Sequence, residues 1–106
     1  FGYAPKLSTD KLIKKINIDI QDIDMIEINE AFASQAYAVA RDLELDMDKV
    51  NMYGGGISLG HPLGATGAIL ALKAMYEFKL TDRKDALIAM CIGGGQGMSM
   101  YLKSCK

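Results

Sequence analysis

The chain has 106 residues, 50% of them hydrophobic and 24% charged, with a formal net charge of -1. That balance describes one soluble globular domain able to bury a core. It leaves no basic footprint for nucleic acid or an anionic membrane, and no apolar run approaches the ~20 residues of a membrane span. The first residue is Phe1, and no charged start followed by an apolar stretch suggests a signal peptide; a processed chain or a piece of a longer one is expected.

In chain order, Ser8 to Ile16 has helical spacing, with Leu12, Ile13 and Ile16 on one side and lysines on the other. Ile16, Ile18 and Ile20 alternate like a strand, but the polar residues between them favour a loop or short turn. Asp24 to Ile28 reads as a short strand. Asn29 stands where an N-cap belongs, ahead of an alanine-rich helix from Glu30 to Leu43. The polar stretch from Asp46 to Lys49 breaks that helix. Pro62 suits the first position of a further helix running to Phe78, with Ile69, Leu70, Leu72, Met75, Tyr76 and Phe78 on its apolar side. Ala86 to Cys91 is a continuous apolar run, as in a buried central strand, and Met98 to Lys103 alternates as an edge strand that closes a hairpin with it. The expected architecture is α/β, a mixed sheet layered with helices (αβα), in one domain over residues 1–106.

Two glycine-rich loops carry the chain's reactive side chains. The first reads Asn51-Met-Tyr-Gly-Gly-Gly-Ile-Ser-Leu-Gly-His61-Pro-Leu-Gly-Ala-Thr-Gly67 and holds the only histidine; the second reads Cys91-Ile-Gly-Gly-Gly-Gln-Gly97. Glycine lets a backbone or ligand approach closely, so main-chain amides are expected to take part in a crowded site. Neither loop is a nucleotide motif: the P-loop lysine is absent and the spacing G-x-G-x-x-G is not met.

His61 precedes a proline and, on this reading, a helix start, whose partial positive charge disfavours imidazolium and leaves a neutral general base. The alternative is a loop histidine with an ordinary structural hydrogen bond. Cys91 is either a small core residue or a thiol facing the amides of Gly93, Gly94, Gly95 and Gly97, where an oxyanion would be held. Asn29 is either a helix cap or a site group at a strand end. Glu30 is placed to pair or cap nearby, and Phe32 reads as core or ligand contact. No Cys/His spacing suits a metal, no disulfide framework is present, and Cys105 has no evident role. A free functional Cys91 implies a reducing, cytoplasmic setting.

Asn29-Glu-Ala-Phe-Ala33, the segment with Gly60-His61-Pro62, and Cys91-Ile-Gly-Gly-Gly-Gln-Gly97 resemble, in this order, the three C-terminal signatures of the thiolases. The Gly2-Tyr-Ala-Pro5 start resembles the opening of that family's C-terminal domain, so the resemblance spans the whole chain. Asn29 at the head of the first motif is similar to the acetyl-CoA acetyltransferase and 3-ketoacyl-CoA thiolase branches, whereas Tyr53 departs from the polar residue common between Asn51 and the glycines.

The resemblance implies an acyltransferase acting on acyl-CoA thioesters, with no cofactor beyond these substrates and no metal. It implies that His61 activates a nucleophilic cysteine and that Cys91 is the second acid/base. Asn29, through a water, and His61 form one oxyanion hole; the amide of Gly93 helps form the other. Ala31 and Phe32 line the pantetheine tunnel. The family's acyl-carrying cysteine belongs to an N-terminal domain whose motif this chain lacks, so a C-terminal piece, inactive alone, is expected, from a parent that assembles as a homodimer or homotetramer. Two other classes stay open on the residues themselves: a Cys91–His61 thioesterase or hydrolase, and a non-catalytic binding module.

Overall fold

The computed structural model describes residues 2–105. Helix α1 spans Ala4–Ile16, strand β1 Met25–Ile28, helix α2 Ala33–Asp42, a one-turn helix α3 Gly56–Leu59, helix α4 Thr66–Leu80, strand β2 Asp85–Gly93 and strand β3 Gln96–Lys103. Short 3-10 turns at Ile20–Asp22 and Met47–Lys49 fill the two polar breaks.

The sheet is mixed, in the order β1-β2-β3. β1 runs parallel to β2 from Met25 opposite Ala86 to Ile28 opposite Ala89, and β2 runs antiparallel to β3 from Asp85 opposite Lys103 to Gly93 opposite Gln96. The apolar run of β2 follows from its central place, covered on both faces.

Alternation along the strands divides the core. Ile26, Ile28 and Leu87 point to the face covered by α1 and α2, packing with Leu12, Ile13, Val39, Leu43 and Tyr101. Met25, Ala86 and Leu102 point to the opposite face and meet Ala74 and Phe78 of α4. The expected αβα layering is thus present.

Three helix starts differ from the sequence expectation. α1 begins at Ala4, not Ser8, because Pro5 sits in its first turn, where its missing N–H costs nothing. α2 begins at Ala33, not Glu30: Phe32 is its N-cap, and the Gln35 side chain accepts from the Phe32 N–H at 3.2 Å. Asn29 is therefore not a cap. α4 begins at Thr66 rather than Pro62, since Pro62 opens a turn whose carbonyl accepts from the Ala65 and Thr66 amides.

The apolar side of α4 also differs. Thr66, Leu70, Ala74, Glu77 and Phe78 are buried, whereas Ile69, Leu72, Met75, Tyr76 and Leu80 are exposed. A helix apolar around most of its circumference has more to bury than one sheet face can cover.

Two glycine positions fix the far end of the sheet. Gly94 and Gly95 form the β2–β3 turn with φ of 60° and 74°, as a two-residue hairpin turn with positive φ at both central residues requires. At Gly97, a Cβ would lie 2.6 Å from the Ala4 carbonyl carbon and oxygen, so β3 passes directly under the start of α1. Gly97→Ala forces backbone apart and is expected to cost about 1–3 kcal/mol, read as a lower denaturation midpoint.

Candidate active site

The site forms where three connections meet at the carboxyl ends of the parallel strands, a common ligand position in α/β sheets. Asn29 follows β1 directly, and its amide donates to the Ala89 carbonyl of β2 at 2.9 Å. The residue is 3% exposed, and its Nδ2 lies 3.4 Å from His61 Nε2.

The other imidazole nitrogen, Nδ1, lies 2.6 Å from Thr66 Oγ1, at the first residue of α4. That hydroxyl donates to the Pro62 carbonyl at 3.1 Å. With its hydrogen so used, Thr66 accepts from Nδ1–H, and the lone pair at Nε2 faces Asn29 Nδ2–H. This is the tautomer a base acting through Nε2 requires. His61 is thus tied to the start of α4 by a side chain, not by standing directly before the helix.

Cys91, half-buried, lies where β2 leaves the core; it is a free thiol opposite Gly97, just ahead of the irregular pairing between Cys91 and Gly93. Gly93 has φ of 88°, which turns the strand into the hairpin.

One cavity of about 530 Å³ is lined by Ala31, Phe32, His61, Leu63, Met90, Cys91, Ile92 and Gly93. It gathers the imidazole and the thiol together with Ala31, Phe32 and Gly93. Asn29 reaches it through its contact with His61 and itself lines a smaller recess behind, with Gly55, Gly56, Gly60 and Thr66. Phe32 is 60% exposed, so it forms a wall of the hollow rather than core. A volume of this size suits a small organic ligand, and the lining mixes apolar side chains with one base and one thiol.

Thr66, Asn51 and Glu30 also shape the site. Thr66 was hidden because its role depends on a turn bringing it back against His61. Among the described residues, no helix is long and apolar enough to cross a membrane.

An α/β domain thus gathers a histidine and a cysteine in one hollow at its strand ends, with an asparagine against the imidazole. Residues 1–104 match the sequence profile of the family described as thiolase, C-terminal domain. Among similar proteins, the beta-ketothiolase BktB of Cupriavidus necator is 49% identical over 92% of this chain, and the 3-ketoacyl-CoA thiolase of Bacillus subtilis is 43% identical over 98%. The crystal structure of human mitochondrial 3-ketoacyl-CoA thiolase superposes with a TM-score of 0.95 at 40% identity over 99% of this chain. The chain belongs to the thiolase family, as its C-terminal domain. It spans about a quarter of the relatives' length: 25% and 27% of the two bacterial proteins and 27% of the human chain.

Proposed function

We propose that this domain is the acid–base half of a thiolase that joins two acetyl-CoA molecules into acetoacetyl-CoA, or cleaves a 3-ketoacyl-CoA with CoA in reverse. The observation that carries this reading is the single hollow lined by His61 and Cys91, with Asn29 in contact with the imidazole.

In the forward direction, His61 Nε2 takes the proton of a cysteine supplied by the N-terminal domain. The thiolate attacks the acetyl carbonyl, and the departing CoA sulfur takes the proton of Cys91, leaving Cys91 as a thiolate and the nucleophile's proton on His61 Nε2. A second acetyl-CoA gives its α-proton to Cys91. The resulting enolate attacks the acyl-enzyme carbonyl, forming the carbon–carbon bond and expelling the nucleophilic cysteine as a thiolate, which recovers its proton from His61. His61 and Asn29, the latter through a water, donate to the enolate oxygen, while the Gly93 amide and the nucleophile's own amide hold the acyl oxyanion. Ala31 and Phe32 flank the pantetheine arm. No cofactor beyond the CoA thioesters enters these steps.

The exposed outer face of α4 is the surface an N-terminal domain would cover, and the proposal includes assembly of the parent as a homodimer or homotetramer, in the cytoplasm. The test is thiolysis of acetoacetyl-CoA by CoA. The full-length polypeptide is expected to turn over, and the isolated domain, with no residue to carry the acyl group, is expected to be inactive. A full-length polypeptide that hydrolyses thioesters but never forms the carbon–carbon bond would favour a Cys91–His61 hydrolase instead.

A further inference from the structure

The contact between Asn29 and His61 joins two segments far apart in sequence, and neither residue alone explains why they meet. Glu30, next to Asn29, reaches across the gap: its Oε2 accepts from Asn51 Nδ2 at 3.1 Å, and its Oε1 accepts from the Ile57 amide of α3 at 3.1 Å. Asn51 in turn behaves as a strand partner for β1. Its Oδ1 accepts from the Ile28 amide and its Nδ2 donates to the Ile28 carbonyl, both at 2.8 Å.

The first glycine cluster is shaped around this carboxylate. A Cβ at Gly55 would stand 2.4 Å from Glu30 Oε1, and one at Gly56 would stand 2.9 Å from the Glu30 carbonyl oxygen. These two glycines serve close approach to Glu30 and its backbone.

We propose that Glu30 is a positioning residue that laces the loop carrying His61 to the turn carrying Asn29, and so sets the spacing of the pair that faces the enolate. A charged acceptor suits two donors better than a neutral one, and both of its oxygens are used. Cys91, held on β2, lies outside this lacing.

This inference rests on the thiolase reading, and the full-length polypeptide tests it. Misplacing catalytic groups by about an ångström typically costs on the order of 10²-fold in rate. Glu30→Ala is expected to lower kcat for acetoacetyl-CoA thiolysis by about that factor, with KM little changed. Glu30→Gln keeps one acceptor but opposes an NH₂ group to the other donor, so an intermediate loss of about tenfold is expected. Iodoacetamide labelling of the Cys91 peptide should proceed at the wild-type rate in both variants. Gly55→Ala should reproduce the defect in the wild-type background and cost much less in the Glu30→Ala background, since the carboxylate it strikes is gone.

Wild-type kcat in Glu30→Ala overturns the proposal. So does a change in Cys91 labelling in step with the fall in kcat in the isosteric Gln variant, since a disturbance that reaches the half-buried thiol is not confined to the lacing, and so does an additive double variant. A wild-type polypeptide without thiolysis would instead sink the functional reading on which the proposal stands.

Discussion

If the proposed mechanism holds in the full-length polypeptide, His61→Ala is expected to slow acyl transfer from acetyl-CoA to the nucleophilic cysteine by about 10²–10⁴-fold, the usual worth of a general acid–base group. Cys91→Ser is expected to lose a similar factor in overall turnover while still forming the acyl-enzyme. On the proposed mechanism the two variants differ because the two groups serve different proton transfers. His61 Nε2 carries the ring's lone pair towards Asn29, because Thr66 holds the ring at Nδ1. A thiol has an ordinary pKa of about 8.5, close enough to neutrality to take and return the α-proton, whereas a serine hydroxyl is a far weaker acid. Mass spectrometry of the enzyme after mixing with acetyl-CoA separates the cases: an acetyl adduct on an upstream cysteine persists in Cys91→Ser and is missing in His61→Ala. Normal acylation of His61→Ala would remove the imidazole from its role. An acetyl group mapped to Cys91 in the wild type would reassign that thiol as a nucleophile.

The sheet was legible in the sequence because its signals are local. The apolar run of β2 and the alternation of β3 point to a central strand and its hairpin partner, and the two are paired antiparallel. The start of α1 was missed because Pro5 reads as a break until the helix is seen to place it in its first turn. Asn29 had the chemistry of a cap, yet Phe32 takes that position with help from Gln35, and Asn29 is left for His61. A list of favourable capping residues cannot anticipate that exchange, which depends on how β1 turns into α2. The glycine loops pointed to a crowded site, but the occupant that crowds Gly55 is Glu30. That partner lies in another segment, and only the fold brings it near. The face of α4 was misjudged for a related reason: an all-round apolar helix gives no periodic cue to which side meets the sheet.

The buried charge on β1 likewise has no signal in the pattern Met-Ile-Glu-Ile, which marks only a short strand. Glu27 is instead fully buried beneath α4, with Lys73 Nζ 2.6 Å from its Oε1, and Oε2 has no hydrogen-bond partner among the described residues. The same ammonium donates to the Gly54 carbonyl at 2.7 Å, so the pair also anchors the beginning of the first glycine loop. Lys73→Met keeps the length of the side chain and removes its charge. Because an uncompensated carboxylate is left inside, the expected loss of stability is about 3–5 kcal/mol near neutral pH.

The sign of the pH dependence follows from Glu27. Burial pushes its carboxyl above the ordinary carboxylate range, and the hydrogen bond and charge of Lys73 pull it part of the way back. A folded state that holds a proton the unfolded chain has released loses stability as pH rises from the ordinary carboxylate value through the raised one. Removing Lys73 raises the folded value further and extends that decline towards alkaline pH. The penalty of Lys73→Met should therefore be larger at about pH 8 than at about pH 5, as measured by urea denaturation. Adding Glu27→Gln should restore much of the stability and flatten the pH dependence, because the group that titrates is gone. A Lys73→Met protein as stable as the wild type at both pH values would show that the pair does not hold α4 to β1.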